Sequence, residues 1–213
     1  MKQLLLSLCF LFSAGGVLGK DLPGQIFYED DTVDVIFEIP LKPVSKEPSL
    51  LEIQKSVWYR VNGEKKYQKA LPAMTKEIRF SYMETTFRMI STPRLIALRK
   101  DIGPGLVHKR FTLLRIDGEV RLFESFYLSE SATRMNANGS WSGGRSQISG
   151  DIFLERNGVY TWIKPIGFNK KVANYFRDCE ELFEKITNKT LRYEDIESIV
   201  NTYNQSCAGN MKG

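Results

Sequence analysis

The segment Thr32–Ile39, which reads TVDVIFEI, carries the pattern that decides the fold. Its apolar residues occupy alternate positions from Val33 to Ile39, and the positions between them are mostly polar, with Asp34 and Glu38 among them. A hydrophobic period of two is typical of a β-strand that buries one face and exposes the other. We therefore predict a half-buried strand here, and the segments on both sides of it extend the same interpretation.

Similar strand patterns recur along residues 20–168, and turn dipeptides separate several of them, at Asn62-Gly63, Asp117-Gly118 and Asn157-Gly158. The further predicted strands are Gln25–Asp30, Leu50–Val61, Glu64–Leu71, Lys76–Met83, Thr86–Ile90, Arg94–Arg99, Lys109–Ile116, Val120–Leu128, Ile152–Glu155 and Val159–Ile163. Because tight turns join neighbours of this kind in hairpins, we predict a mostly antiparallel β domain over residues 20–168. It would form an open sheet, a roll or a sandwich.

Residues 129–150 interrupt the strand pattern and are rich in Ser, Asn and Gly. We predict a long polar loop here, and its centre, with Asn138, Ser140 and Trp141, is a candidate partner-binding loop because loops often carry binding residues. A mobile surface loop without any partner explains the same composition, so both interpretations stay open.

Helical spacing begins only near the C-terminus. Between Asn169, which suits an N-cap, and Asn188, apolar residues recur at intervals of four and three and predict one helix. These residues are Val172, Phe176, Cys179, Phe183 and Ile186, with Leu182 beside them. A second helix is predicted over Arg192–Tyr203. The two helices would form a hairpin over residues 169–207 that packs on the β domain, followed by a disordered tail at residues 208–213. The predicted fold class is therefore α+β.

Residues 1–19, MKQLLLSLCFLFSAGGVLG, have the order of features found in an export signal. Lys2 gives a positive start, an apolar run extends from Leu4 to Phe12, and small residues lead to Gly19. A membrane anchor needs about 20 apolar residues, and this run is roughly half as long. We predict a signal peptide and an exported protein that does not span the membrane, located in the periplasm, at the cell surface or outside the cell.

Removal of the predicted signal peptide would also remove Cys9 and leave two cysteines, Cys179 and Cys207. Cysteines in an oxidising compartment commonly pair, and a spacing of this length does not match a redox CxxC motif. We therefore predict a structural disulfide between Cys179 and Cys207. A catalytic cysteine would need a histidine partner, and the sequence contains only His108.

The C-terminal residues form a recognisable combination of short motifs. These motifs are Tyr175-Phe176-Arg177-Asp178-Cys179, Tyr193-Glu194-Asp195-Ile196, Ile199-Val200, and Tyr203-Asn204 followed by Cys207. The ending resembles that of a group of small exported proteins of unknown function common in Bacteroidota. The stretch Gly24–Thr32 is similar to their opening hairpin, with Asp31 in place of the usual turn glycine. The resemblance implies a β-rich exported domain with a helical, disulfide-closed C-terminus, and it transfers no catalytic residue.

The sequence offers no recognisable catalytic, cofactor or metal motif. A single histidine excludes an HExxH metal site, and neither a Walker A loop nor a GxGxxG motif is present. We therefore predict no cofactor, no metal and no catalytic residues. A hydrolase that uses two carboxylates remains an alternative, because folding can bring distant acids together. The clearest acidic clusters in sequence are Glu29-Asp30-Asp31 and Glu180-Glu181.

The chain has 213 residues, with 30 Lys and Arg against 25 Asp and Glu and a net charge of +5. A basic exported protein can adhere to anionic polymers, although the basic residues are dispersed among acids. Export disfavours nucleic acid as a ligand. We expect a non-enzymatic binding or structural protein of the bacterial envelope or secretome, whose partner is an anionic envelope polymer or another envelope protein. The alternative is a carboxylate-based hydrolase that acts on glycans.

Overall fold

The computed structural model describes residues 19–93, 109–130 and 146–209, with short segments at 134–135, 138–139 and 141–142. Its strands are β1 (Gly19–Phe27), β2 (Thr32–Pro40), β3 (Val57–Val61), β4 (Gln68–Ala70), β5 (Glu77–Tyr82), β6 (Thr85–Pro93), β7 (Lys109–Ile116), β8 (Arg121–Glu130), β9 (Arg134–Met135), β10 (Trp141–Ser142), β11 (Ser146–Arg156) and β12 (Val159–Ile163). Its α-helices are α1 (Leu50–Ile53), α2 (Phe168–Tyr175), α3 (Glu180–Thr187) and α4 (Ile196–Thr202). A 3₁₀ turn, Tyr193–Asp195, leads into α4, and a π-helical turn, Tyr203–Cys207, follows it.

The main element is an open antiparallel sheet of ten strands in the order β12-β11-β8-β7-β6-β5-β1-β2-β3-β4. One meander contains β1 to β4, a second contains β5 to β8, β11 and β12, and the pairing of β1 with β5 joins them. β9 and β10 form a separate two-stranded sheet. This arrangement confirms the predicted α+β class. The sheet is open, which is one of the three forms predicted. Within the described residues, no helix is long and apolar enough to cross a membrane.

The predicted strand at residues 32–39 is β2, which pairs with β1 along its whole length from Gly19↔Pro40 to Phe27↔Thr32. The amide of Tyr28 donates to the carbonyl of Asp31 at 2.8 Å and closes the turn between them. Phe37 is fully buried, as the alternation predicts. The hairpin therefore forms with Asp31 in the turn.

One transverse row of side chains connects the sheet from β2 to β12. Its members are Val33, Ile26, Ile78, Met89, Leu113, Glu124, Ile152 and Ile163. Because paired residues share a face, the two larger apolar clusters lie on the same side of the sheet, one beside α1 and one beneath α2 to α4. Glu124 is the charged member of this row and lies between the two clusters.

The predicted strand Leu50–Val61 is wrong in its first half, because Leu50–Ile53 forms helix α1 and only Val57–Val61 forms β3. Ile53 is fully buried and anchors this single turn against the sheet. The next residue, Gln54, is 1% exposed. Here the packing of a short apolar turn against the sheet decides the local structure. The alternation of apolar and polar residues does not decide it.

Gln54 fills a gap between β7 and β8. The pairing of these strands extends from Leu113↔Glu124 to Ile116↔Leu122, and beyond it Gln54 takes the place of a neighbouring strand. Its side-chain amide donates to the carbonyl of Phe126 at 2.7 Å and accepts from the Phe126 amide at 2.7 Å. The carbonyl of Gln54 accepts from the Phe111 amide at 3.1 Å. One residue thus joins α1 to both strands.

The first predicted C-terminal helix is two helices, α2 and α3, with a break at residues 176–179. Cys179 therefore lies at the N-cap of α3, in an extended conformation, instead of in the middle of a helix. The break changes the phase of the apolar stripe, so Leu182 is 1% exposed whereas Phe183 is 37% exposed. The second predicted helix is confirmed in its α4 portion. Residues of α2, α3 and α4 share one apolar cluster with residues of the sheet.

The predicted polar loop at residues 129–150 is shorter than expected. β8 continues to Glu130 and β11 begins at Ser146, which pair with each other, so the sheet extends into this region. The sequence does not indicate these strand ends, because the alternation of apolar and polar residues there is short and adjoins a Gly-rich stretch. The predicted strand Arg94–Arg99, the leader up to residue 18 and most of the predicted tail, residues 210–213, lie outside the described residues.

Candidate functional site

The two cysteines predicted to pair lie together at the C-terminal junction. Their sulfurs are 2.03 Å apart, which is the distance of a disulfide bond, and their Cα atoms are 5.7 Å apart. Cys179 is 3% exposed and belongs to the apolar cluster beneath the helices. The bridge therefore joins the start of α3 to the end of the π-helical turn.

The other residues of the C-terminal motifs converge beside this bridge. The hydroxyl of Tyr203 donates to the carboxylate of Asp178 at 2.6 Å, and Arg156 donates to the same carboxylate at 3.0 Å. The guanidinium carbon of Arg156 lies 4.4 Å from the ring centre of Tyr203 and 5.2 Å from that of Tyr175. Burial raises the pKa of Tyr175 to about 12, and burial together with the Asp178 bond raises the pKa of Tyr203. Both hydroxyls therefore stay protonated at neutral pH.

The same junction fastens the helices to the turn between β7 and β8. Asn204 donates to the carbonyl of Val120 at 2.8 Å and accepts from its amide at 2.9 Å. A Cβ atom on Gly118, whose φ is +154°, would lie 2.4 Å from the Asn204 amide nitrogen. Tyr203, at the centre, is only 1% exposed. This closed arrangement indicates that the motif residues stabilise the C-terminus.

The structure describes two of the three predicted partner-binding residues. Asn138 is exposed in a short turn with Gly139, and Trp141 pairs with Met135 between β9 and β10. Ser140 lies outside the described residues. Nothing in their placement identifies a partner, and the candidate loop remains a prediction.

The acidic clusters found in the sequence lie far apart along the fold. Glu29-Asp30-Asp31 is at the tip of the β1–β2 hairpin and lines a concavity of about 520 Å³ together with Lys76. Glu180-Glu181 occupies the first turn of α3, where Glu181 accepts a bond from Lys185 at 2.6 Å. Among the described residues, no group of three or more His, Cys, Asp or Glu side chains is placed to hold a metal ion. His108 lies outside them.

The described surface also contains a cleft of about 450 Å³ where β1 begins, β2 ends and β3 begins. Its lining includes Glu38, Pro40, Glu52, Lys55, Trp58 and Lys69, and we name it the Trp58 cleft. A volume of this size is within the range of small-ligand pockets. No sequence pattern indicates this site, because its residues come from five separate elements.

Trp58 is the largest side chain of the cleft and is 47% exposed. Strand pairing places it between Glu38 on β2 and Lys69 on β4, so the three side chains form a row on one face of the sheet. The Nζ of Lys69 lies 5.3 Å from the centre of the indole ring, in the range of a cation–π contact. The cleft thus offers an aromatic surface between an acid and a base.

Helix α1 and the turn that follows it supply a charged pair on another side of the cleft. The Nζ of Lys55 donates to both carboxylate oxygens of Glu52, at 2.9 and 3.0 Å. Each of these side chains is about half exposed. Lys55 is therefore held beside the cleft by Glu52, and its charge is largely balanced locally.

Positive charge is concentrated on the β3–β4 hairpin next to the Trp58 cleft. Residues 55–71 contain Lys55, Arg60, Lys65, Lys66 and Lys69 against Glu64, which gives a local charge of +4 out of +5 for the chain. Arg60 pairs with Asp21 at 3.2 Å. In contrast, Lys65, Lys66 and Lys69 are exposed and have no carboxylate partner among the described residues. The sequence interpretation of a dispersed charge missed this concentration around the Asn62-Gly63 turn.

A partly buried carboxyl group lies elsewhere on the sheet. Glu124 is between the two apolar clusters, and burial raises its pKa although Arg115 lies 3.1 Å away. Burial likewise raises the pKa of Asp151 on the neighbouring strand. Neither group lines the Trp58 cleft. The groups best suited to hold a proton are therefore separate from the cleft.

Comparisons with protein-family models, with curated proteins and with solved structures find no match to this chain. A function for the chain therefore has to be inferred from its fold and from the chemistry of the described residues.

Proposed function

We propose that the protein is an exported binding protein without catalytic activity, and that it holds its ligand in the Trp58 cleft. The observation that supports this is a half-exposed indole ring within a cleft of about 450 Å³, flanked by Glu38 and Lys69. Large aromatic surfaces with a few oriented polar groups are typical of ligand sites. An aromatic ring that is half exposed on a sheet contributes little to the core. Contact with a ligand would give the ring of Trp58 a function.

Export rests on the leader sequence and is consistent with the cysteine pair at bonding distance. N-terminal sequencing of the protein isolated from its native cells tests this part of the proposal. We expect the mature chain to begin at Lys20. Recovery of cytosolic protein that retains Met1 would contradict export.

Binding in the cleft is tested by fluorine NMR of protein labelled with 5-fluorotryptophan. The chain has three tryptophans, and the variants Trp58→Phe and Trp162→Phe assign two of the resonances. The labelled protein is titrated with purified peptidoglycan fragments and with acidic and neutral polysaccharides. We expect at least one polymer to shift the Trp58 resonance saturably while the Trp162 resonance stays in place. A Trp58 resonance that responds to none of them would refute the proposal.

One observation favours a second candidate, a glycan hydrolase. Glu38 and Glu52 both line the Trp58 cleft, and a pair of carboxylates beside an aromatic ring is what such an enzyme requires. Against it, Glu52 is held by Lys55 in an ion pair, and the carboxyl groups with raised pKa lie elsewhere. Release of reducing ends from polysaccharides, abolished in Glu38→Gln and in Glu52→Gln, would support the hydrolase over the binding protein.

A further inference from the structure

The Trp58 cleft and the hairpin beside it also indicate the chemical class of the ligand. We infer that the ligand is an acidic polysaccharide, a sugar chain that carries carboxylate or sulfate groups. This inference rests on the proposed function of the cleft, and it adds the identity of the ligand class.

The charge on the β3–β4 hairpin is unbalanced. Lys65, Lys66 and Lys69 are exposed, and no carboxylate among the described residues pairs with them. They are spread along the hairpin from the turn to β4, so they can contact several anionic groups of one extended chain. Exposed charges of this kind attract an anionic polymer, and the attraction weakens as salt is added. A single small anion would leave most of these charges without a partner.

The cleft itself combines an aromatic ring with carboxylates. The exposed ring of Trp58 can pack against the C–H face of a sugar, since the negative face of an indole attracts such weakly positive hydrogens. Glu38 and Glu52 can accept hydrogen bonds from hydroxyl groups. A sugar chain supplies an apolar face, many hydroxyls and acidic substituents together.

The same carboxylates disfavour nucleic acid and anionic membranes. A nucleic acid offers few hydroxyl donors, so it would leave Glu38 and Glu52 without hydrogen-bond partners inside the cleft. A lipid surface would contact the exposed lysines of the hairpin and would leave the cleft unused. The donor and acceptor pattern thus favours a polyhydroxylated polyanion.

The test measures affinity for polygalacturonate by isothermal titration at low salt and at about 300 mM NaCl, where charges are strongly screened. The comparison ligands are neutral dextran, single-stranded oligothymidylate, and vesicles of equal parts phosphatidylcholine and phosphatidylglycerol. We expect polygalacturonate to bind most tightly and the added salt to weaken it by about tenfold or more. The variant with Lys65→Gln, Lys66→Gln and Lys69→Gln should lose a similar factor.

The matched control is Lys164→Gln, because Lys164 also lies over a tryptophan, with its Nζ 3.5 Å from the ring centre of Trp162 at the other edge of the sheet. This variant removes a charge of the same kind away from the hairpin and should keep full affinity. Urea unfolding of both variants verifies that they fold, since the substituted hairpin lysines are exposed.

The outcomes separate this inference from the proposed function. Equal affinity for dextran, or tighter binding of oligothymidylate or vesicles, would overturn the acidic polysaccharide. In the dextran case a shifted Trp58 fluorine resonance would still support a binding cleft. Equal loss of affinity in Lys164→Gln and in the single variant Lys69→Gln would also overturn it, because the effect would then be one of net charge. A silent Trp58 resonance with every polymer would refute the proposed function itself.

Discussion

Replacing Gln54 by alanine tests how the two sides of the sheet are held together. Gln54 is 1% exposed, and its amide makes two hydrogen bonds of 2.7 Å to the backbone of Phe126. Leaving a buried donor or acceptor without a partner costs about 1–3 kcal/mol per group. Because Phe126 is only partly buried and water can reach part of the gap, we expect the free energy of unfolding to fall by about 3 kcal/mol in total.

Urea unfolding monitored by circular dichroism measures this loss as a lower midpoint with an unchanged slope. The matched control is Gln25→Ala, which removes an exposed bond of 3.0 Å to Asp34 and should change stability by less than about 0.5 kcal/mol. Gln54→Met keeps the side-chain length without the hydrogen bonds, and we expect it to lose at least about 2 kcal/mol. If the methionine variant is as stable as the wild type, the hydrogen bonds to Phe126 do not hold the gap and the reasoning is wrong.

Three further predictions concern other parts of the sheet. Burial alone would raise the pKa of Glu77, but hydrogen bonds from Arg88 and Arg79 outweigh burial and lower the pKa. Glu77→Gln should therefore lower the free energy of unfolding by about 1–3 kcal/mol at neutral pH. That stabilisation is lost as the pH falls through the folded pKa, and urea unfolding at acid pH should show the two proteins converging. For Glu124 the sign is opposite, because burial raises its pKa and the folded state keeps a proton that the unfolded state loses. Glu124→Gln should therefore gain stability relative to wild type as the pH rises above the ordinary carboxyl pKa, and a constant difference would contradict this. Gly118→Ala should cost about 1–3 kcal/mol because its Cβ meets Asn204, and thermal unfolding of Gly118→Ala combined with Asn204→Ala should show less than the sum of the two losses.

The strands were predictable where a local pattern matched the burial. β7 has the predicted bounds, Lys109–Ile116, and β2 extends the predicted strand by one residue, because alternation reflects one buried face. Helix α1 was not predictable, since Leu50 and Ile53 fit a strand as well as a helical turn. Only the contact of Gln54 with β7 and β8, which are distant in sequence, decides between them.

The site was less predictable than the fold. Trp58 fits the pattern of an amphipathic strand, and only the register with Glu38 and Lys69 reveals the row they form. The break between α2 and α3 was hidden because Phe176 and Cys179 keep helical spacing on both sides of it. Sequence periodicity reports burial, whereas a cleft depends on which elements meet, and that information is not local.

The pairing of β1 with β5, over Gly24–Phe27, has a consequence for the order in which the molecule assembles. Each meander pairs strands that follow one another in the ten-stranded sheet, so each can form through local loop closures, which are fast. The β1–β5 pairing forms a seam between the two meanders. This seam and the contacts of Gln54 with β7 and β8 require both meanders to meet, so we expect them to form late in folding. Amide hydrogen exchange should then resolve two cooperative units that open at different free energies, with the seam protected only as long as both remain closed.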